Sequence, residues 1–158
     1  MASETVSVAK EKVTTVEAKE LLAELAQDFK DKYGKESPYN LADKDLQADR
    51  SAFIMARVDG RPAGCVILYP QDENQPDIGE ARQLYVRPEF RGLGLSYAVM
   101  RKLEETARAN KYTLLRLVTG LKEPEAIHLF LKLGYSRIPR YTKYIDRPLS
   151  ACFEKKLD

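Results

Sequence analysis

Tryptophan is absent from the 158 residues, and there is one histidine and only two cysteines. A single histidine, His128, excludes a histidine-rich metal site, and no metal is expected. Two cysteines, Cys65 and Cys152, are too few for a disulfide framework. Each stands in an apolar stretch, Gly64-Cys65-Val66-Ile67 and Ala151-Cys152-Phe153, where a free thiol packs as a small hydrophobe. No apolar run approaches the roughly 20 residues that a membrane-spanning helix needs. The start, Met1-Ala2-Ser3-Glu4-Thr5, lacks the apolar segment of a secretory signal. Together with reduced thiols, these absences point to the cytosol and away from a membrane. An excess of charge is missing as well. Lys and Arg number 26 against 24 Asp and Glu, a net +2. Nucleic-acid-binding domains usually carry a strong basic excess, so nucleic acid is not expected as a partner. Repeats, low-complexity segments and linkers are also missing, and residues 1–158 read as one domain with enough chain to bury a core.

What is present is a regular succession of elements. Val6 and Val8 predict a short strand within residues 5–10. Ala18, Leu22, Leu25, Phe29 and Tyr33 recur at steps of three and four, which predicts a helix. Thr14 or Thr15 is its expected N-cap and Gly34 its stop. Residues 35–50 are polar and turn-rich, with a helical turn expected near Leu41 to Ala48. Strands at Ala52–Val58 and Ala63–Tyr69 flank Asp59-Gly60-Arg61-Pro62, a hairpin signal. Pro70 to Gly79 reads as a surface loop and Ala81 to Val86 as a strand. After Gly92 and Gly94 comes a helix with Val99, Met100, Leu103 and Ala107 as its buried stripe. Tyr112 to Val118 reads as a strand. Pro124 opens a further helix, with Ile127, Phe130, Leu131 and Leu133 inward and Gly134 at its end. Two strands, Tyr135 to Tyr144 and Leu149 to Lys155, close the chain. Helices and strands mix in one sheet, an α+β arrangement.

Between the strand ending at Val86 and the next helix runs Arg87-Pro88-Glu89-Phe90-Arg91-Gly92-Leu93-Gly94-Leu95-Ser96. The first amides of a helix lack internal partners, and the helix dipole makes that end positive. Glycines let the backbone approach a phosphate closely. Arg87 and Arg91 add full charges that can grip phosphate. A diphosphate is the natural guest. A Walker loop is excluded, because no Gly-Lys-Ser/Thr follows the glycines. A dinucleotide fingerprint is disfavoured, because the unit sits mid-chain after antiparallel hairpin signals.

The stretch Leu84-Tyr85-Val86-Arg87-Pro88-Glu89-Phe90-Arg91-Gly92-Leu93-Gly94 resembles the cofactor motif of the GNAT superfamily of acyl-CoA-dependent N-acyltransferases, Gln/Arg-x-x-Gly-x-Gly/Ala. Arg91 and Gly94 match it, and Ser96 stands where Gly or Ala is usual. Leu117-Val118-Thr119-Gly120, Pro124-Glu125-Ala126-Ile127 and Lys132-Leu133-Gly134-Tyr135 resemble the family's fifth strand and the helix after it. Residues 150–157 resemble the ending of one subgroup. The resemblance implies a three-layer α/β/α sandwich around a twisted, splayed, mostly antiparallel mixed sheet. It also implies acetyl-CoA as co-substrate. The pantetheine arm would lie along Leu84, Tyr85 and Val86, and the pyrophosphate on Arg91, Gly92, Leu93, Gly94, Leu95 and Ser96. A backbone amide near Leu84 or Tyr85 would polarise the thioester carbonyl.

The implied reaction is direct attack of a small primary amine on the thioester, in a ternary complex. Glu80 is the base that the resemblance implies. Many members protonate the leaving thiolate from a tyrosine whose position here is taken by Phe130, and phenyl cannot donate. Tyr135, Tyr141, Tyr144, Ser96 or water are the alternatives. With Glu80, Tyr141 and Tyr144 form the catalytic set expected here. Around them Arg137, Arg140, Lys143 and Arg147 read as a wall for a carboxylate-bearing substrate, as holders of coenzyme A's phosphates, or as a basic hairpin. His128 lies off the inward face of its helix and reads as a surface residue. Two other functions remain open, a non-catalytic acyl-CoA sensor and a protein Lys or N-terminal acetyltransferase. A homodimer is also left open.

Overall fold

A computed structural model describes residues 4–37 and 47–158, the side chain of Lys143 excepted. The helical turn expected near Leu41 to Ala48 falls mostly outside them. At the hairpin, Asp59 and Gly60 both take positive φ, 50° and 81°. That two-residue geometry matches the twist of the flanking strands. It joins β2 (Ala52–Val58) to β3 (Arg61–Pro70). β1 (Val6–Glu11) pairs with β2, and β4 (Ile78–Val86) with β3, all antiparallel. β5 (Leu114–Gly120) lies parallel to β4, because helix α2 (Leu95–Ala109) carries the chain back between them. β7 (Ser150–Lys156) pairs with β5, and β6 (Ser136–Ile138) with β7. The strand order is β1-β2-β3-β4-β5-β7-β6.

Strand periodicity sends alternate residues to opposite faces, and each face is covered by helix. Helix α1 (Val16–Tyr33) starts at Thr15, whose hydroxyl accepts the Ala18 amide at 3.1 Å, and ends at Gly34 with φ 73°. Its Ala18 and Leu21 pack on Phe53, Met55, Cys65, Ile67 and Tyr85. On the other face, Val99, Met100, Leu103 and Ala107 of α2 are fully buried against Ile54, Val66, Leu68 and Leu115. Each large side chain buried there contributes about 1.5–3 kcal/mol. Helix α3 (Pro124–Lys132) adds Phe130 to that layer. The expected three-layer arrangement is therefore the one observed.

Three local expectations are corrected. β4 begins at Ile78, inside the expected loop. A Cβ on Gly79 would press on Leu68, Tyr112 and Leu115 at 3.1–3.2 Å, so packing rather than a turn requires this glycine. The strand expected over Tyr135 to Tyr144 ends at Ile138, because Pro139 has no N–H to continue the ladder. The chain then leaves the sheet and makes a 3₁₀ turn at Thr142–Tyr144. Finally, Leu131 is 53% exposed rather than inward, while Phe130 and Leu133 are buried.

Two irregularities in β4 shape the site. Ile67 pairs with Arg82 and Cys65 with Tyr85, so Gln83 and Leu84 together oppose Val66. This is a β-bulge, with Gln83 at φ 59°. In addition, β4 pairs with β5 only from Ile78 to Ala81, opposite Leu114 to Leu117. Beyond that point the two parallel strands part.

Candidate active site

Where β4 and β5 part, a cavity of about 900 Å³ opens. Leu25, Phe29 and Tyr33 of α1 wall one side, and Ala126, Leu129 and Phe130 of α3 the other. Gln83 to Val86 and Leu117 to Gly120 line the parted strands. The backbone of β4 past Ala81 has no β5 partner there. One end of the cavity is the turn into α2, and the other is a buried polar cluster around Glu80.

At the first end, Gly92 and Gly94 take φ 87° and 74°. An added Cβ at either would meet nothing within 4 Å, so the backbone angle alone requires glycine. Gly94 caps α2 without a side-chain bond, and Ala98 is the first amide to find a helical acceptor, the Gly94 carbonyl at 3.1 Å. The amides of Gly92 to Tyr97 find no acceptor among the described residues. Arg91 Nε donates to the Val86 carbonyl at 3.2 Å, which tethers this cation beside them. Unclaimed amides, a helix N-terminus and an arginine suit a diphosphate. A strand edge with free backbone groups suits an amide-bearing arm. The chemistry of the donor set therefore fits coenzyme A. Arg87 does not join it. Its guanidinium pairs with Glu24 of α1 at 2.7 Å and donates to the Pro62 carbonyl at 3.0 Å, which corrects the expectation that it charges the anion site. Leu84, Tyr85, Val86, Arg91, Gly92, Gly94, Leu95 and Ser96 line the cavity, whereas Leu93 projects into solvent.

At the second end, Glu80 is 1% exposed. Its Oε1 accepts from Arg82 Nε and from Tyr144 Oη at 3.3 Å, and its Oε2 from Tyr141 Oη at 2.8 Å. Arg82 Nη2 also donates to Tyr144 Oη at 3.0 Å. The two tyrosine rings meet edge to face, 5.4 Å between centroids. Burial, reinforced by the Glu80 charge, raises the Tyr141 phenol well above its ordinary range, so it stays protonated. Burial, the largest single influence, works against the charge on Arg82, but Glu80, Tyr144 and Tyr141 together outweigh it and the guanidinium is held more firmly protonated. Glu80, Arg82 and Tyr144 line the cavity, and Tyr141 stands behind Glu80.

The three residues expected as the catalytic set therefore meet at one carboxylate. Arg82 completes the cluster and was missed. The available signal was its position two residues from Glu80, on the same strand face. Tyr135 goes elsewhere: its hydroxyl donates to Glu104 of α2 at 2.8 Å, and Lys155 joins that carboxylate at 3.1 Å. It does not line the cavity, which removes it as a proton donor there. Phe130 is buried and lines the cavity, and His128 also borders the cavity but is exposed to solvent. Of the expected basic wall, Arg137, Arg140 and Arg147 all lie away from the cavity lining.

Residues 18–135 match the family model described as the acetyltransferase (GNAT) family. The chain belongs to the GNAT family. A curated relative, the IAA acetyltransferase of Azospirillum brasilense, is 29% identical over 152 residues, spanning 96% of this chain and 98% of that protein. The L-2,4-diaminobutyric acid acetyltransferase of Nocardia farcinica is 32% identical over 90 residues, 57% of this chain and 46% of that protein. A solved structure from Klebsiella pneumoniae subsp. pneumoniae, classed as an acyl-CoA N-acyltransferase, shares 25% identity with a TM-score of 0.78, covering 97% of this chain and 98% of that one. A GNAT acetyltransferase from Elizabethkingia anophelis, solved with acetyl-CoA bound, has a TM-score of 0.71 at 18% identity, covering 96% and 98%. As a GNAT member the chain is an acyltransferase with acetyl-CoA as co-substrate. No described helix is long and apolar enough to cross a membrane.

Proposed function

We propose that this GNAT protein transfers acetyl from acetyl-CoA to a primary amine of a small molecule, by direct attack in a ternary complex. The observation that carries the reading is one cavity joining a cradle of unclaimed amides to the buried Glu80 cluster. The backbone from Arg91 to Ser96, with the Arg91 guanidinium, holds the pyrophosphate. The edge of Leu84, Tyr85 and Val86 that β5 leaves unpaired holds the pantetheine arm. When bound, acetyl-CoA supplies an activated acetyl thioester. The bulge at Gln83 and Leu84 turns strand amides out of the ladder, and the Leu84 or Tyr85 N–H serves as donor to the developing oxyanion.

Glu80 takes the proton that the amine must lose before attack. Three donors occupy its oxygens, and a carboxylate has about four lone-pair sites, so one stays open. Tyr144 faces the cavity and holds a phenolic proton at Oη for the departing sulfur, a role Phe130 cannot fill. Tyr141, behind the carboxylate, orients Glu80. Lys32 and Tyr33 reach Glu123 across the cavity at 3.3 and 3.1 Å, a clasp that favours a small acceptor over a side chain on another protein. Two free, buried cysteines support a reducing, cytosolic setting.

Calorimetric titration with acetyl-CoA, followed by thiol release across a panel of amines, tests the reading. Binding with release is expected. Binding without release from any amine would instead favour a sensor, with Phe130 at the position of the usual acid as the reason. Absence of binding would remove the Arg91 to Ser96 turn as the cofactor site.

A further inference from the structure

We infer that the acceptor is an amino acid, carrying a carboxylate beside its amine, and that Arg82 selects it. This rests on the acetyltransferase reading above and names its substrate class.

Around Glu80 the hydrogen-bond donors outnumber the acceptors. A guanidinium has five N–H donors. Arg82 uses one on Glu80 and one on Tyr144, and the other three find no acceptor among the described residues. Its side chain is 11% exposed and lines the cavity. Glu80 has about one acceptor site left. The cluster therefore presents to the cavity a surplus of charged donors over acceptors. Buried charged donors without acceptors are costly, and a ligand group that satisfies them is strongly favoured. The group that fits is an anion with two coplanar oxygens, which matches the edge of a guanidinium.

The guanidinium is also held still. It lies 5.2 Å from the centroid of the Tyr69 ring and is pinned at Nε by Glu80. A rigid fork loses little freedom when it binds, so more of the interaction appears as affinity. The arrangement of charge completes the fit. Glu80 and Arg82 form an anion–cation pair in the cavity, and an amino acid brings an ammonium and a carboxylate that pair with them in alternation. A simple amine has nothing to offer Arg82.

Among the other cations near the cavity, Lys132 lines it from α3 but is exposed to solvent, so its charge is screened by water, and the rest are already engaged. Lys32 lines the cavity but pairs with Asp28 at 3.4 Å and Glu123 at 3.3 Å. Arg91 is tied to the Val86 carbonyl at the cofactor end. Arg116 pairs with Glu154 at 3.2 Å and lies outside the lining.

The test compares matched acceptors in the wild-type protein by thiol release: L-amino acids, their methyl esters and their decarboxylated amines. The ester's amine is the more easily deprotonated, so that bias works against the inference. One charged hydrogen-bonded contact gives an expected preference in kcat/KM for the free acid of about 10- to 100-fold. In Arg82→Gln the preference should collapse toward unity, and Arg82→Lys should retain part of it. Because Arg82→Gln leaves Glu80 without its cation, its melting temperature and acetyl-CoA affinity are measured alongside. The wild-type comparison needs no variant. Esters or simple amines acetylated as well as the acids would overturn the inference and leave the acetyltransferase reading standing. A preference that survives unchanged in folded Arg82→Gln would also overturn it. No thiol release from any acceptor, with acetyl-CoA bound, would overturn both.

Discussion

Replacing Glu80 by Gln separates the charge of this residue from its shape. The amide oxygen can still accept from Arg82 and Tyr144, and Tyr141 can rotate its hydroxyl to accept from the new NH₂. Every contact has a neutral substitute, so what disappears is the anion. Arg82 is then a nearly buried cation with no counter-charge. Removing one partner of a buried ion pair costs about 3–5 kcal/mol. Arg82 touches the cavity and gains some hydration there, so the lower end, about 3 kcal/mol, applies. At 2–4 °C per kcal/mol for a chain of this size, the melting temperature should fall by roughly 6–12 °C. Activity should fall as well, because the amide cannot take up the amine's proton. Scanning calorimetry and thiol-release kinetics on one preparation read both quantities. A melting temperature within about 2 °C of wild type would refute the buried-pair argument. A wild-type kcat/KM in the folded variant would separately remove Glu80 as the base.

Gly94→Ala should cost about 1 kcal/mol of stability through its positive φ alone, because the new methyl meets nothing. Gly94→Trp should in addition place an indole over the free amides and abolish acetyl-CoA binding, and unchanged affinity in calorimetry would place the cofactor elsewhere. Lys155→Met strips the cation from the fully buried Glu104 and should cost about 3–5 kcal/mol in urea denaturation. Adding Glu104→Leu should recover most of that loss, and simple additivity of the two changes would show the pair is uncoupled. At high pH, burial raises both Tyr135 and Tyr141, helped by Glu104 and Glu80 respectively. Their contribution is intact below the unfolded value near pH 10 and is lost as pH rises above it, by about 1.4 kcal/mol per phenol per pH unit. Replacing both by Phe should flatten the alkaline fall in urea midpoint, and the same slope in the double variant would contradict this account.

Much of the candidate site's geometry was legible because its cradle is local in the chain. The glycines at 92 and 94, the arginine at 91 and the start of α2 follow one another along the chain, and their spacing alone builds the cradle. The helix stripes and the Asp59-Gly60 hairpin were legible for the same reason, since each depends on neighbours a few residues away. The extent of β6 was not, because Pro139 ends it in favour of a turn whose partners lie across the sheet. Leu131 reads as inward from its apolar character, although Ala126, Ile127, Leu129 and Phe130 are the residues of α3 that pack on the core and Leu131 is turned to solvent.

By itself the sequence determined the order of elements, the buried stripe of α2, the glycine turn before it and the family. These rest on periodicities and on residues close in the chain. On α1 the fully buried residue beside Ala18 is Leu21, one position from the expected Leu22. Tertiary structure decided which charges meet. Arg87, expected at the phosphates, is drawn to Glu24, which sits 63 positions earlier. Tyr135 is taken by Glu104, while Tyr141 and Tyr144 converge on Glu80 from more than 60 positions away. Such pairings depend on strand register and on where β4 and β5 part, because a side chain in a low-dielectric interior must find its partner from whatever the fold brings within about 3 Å.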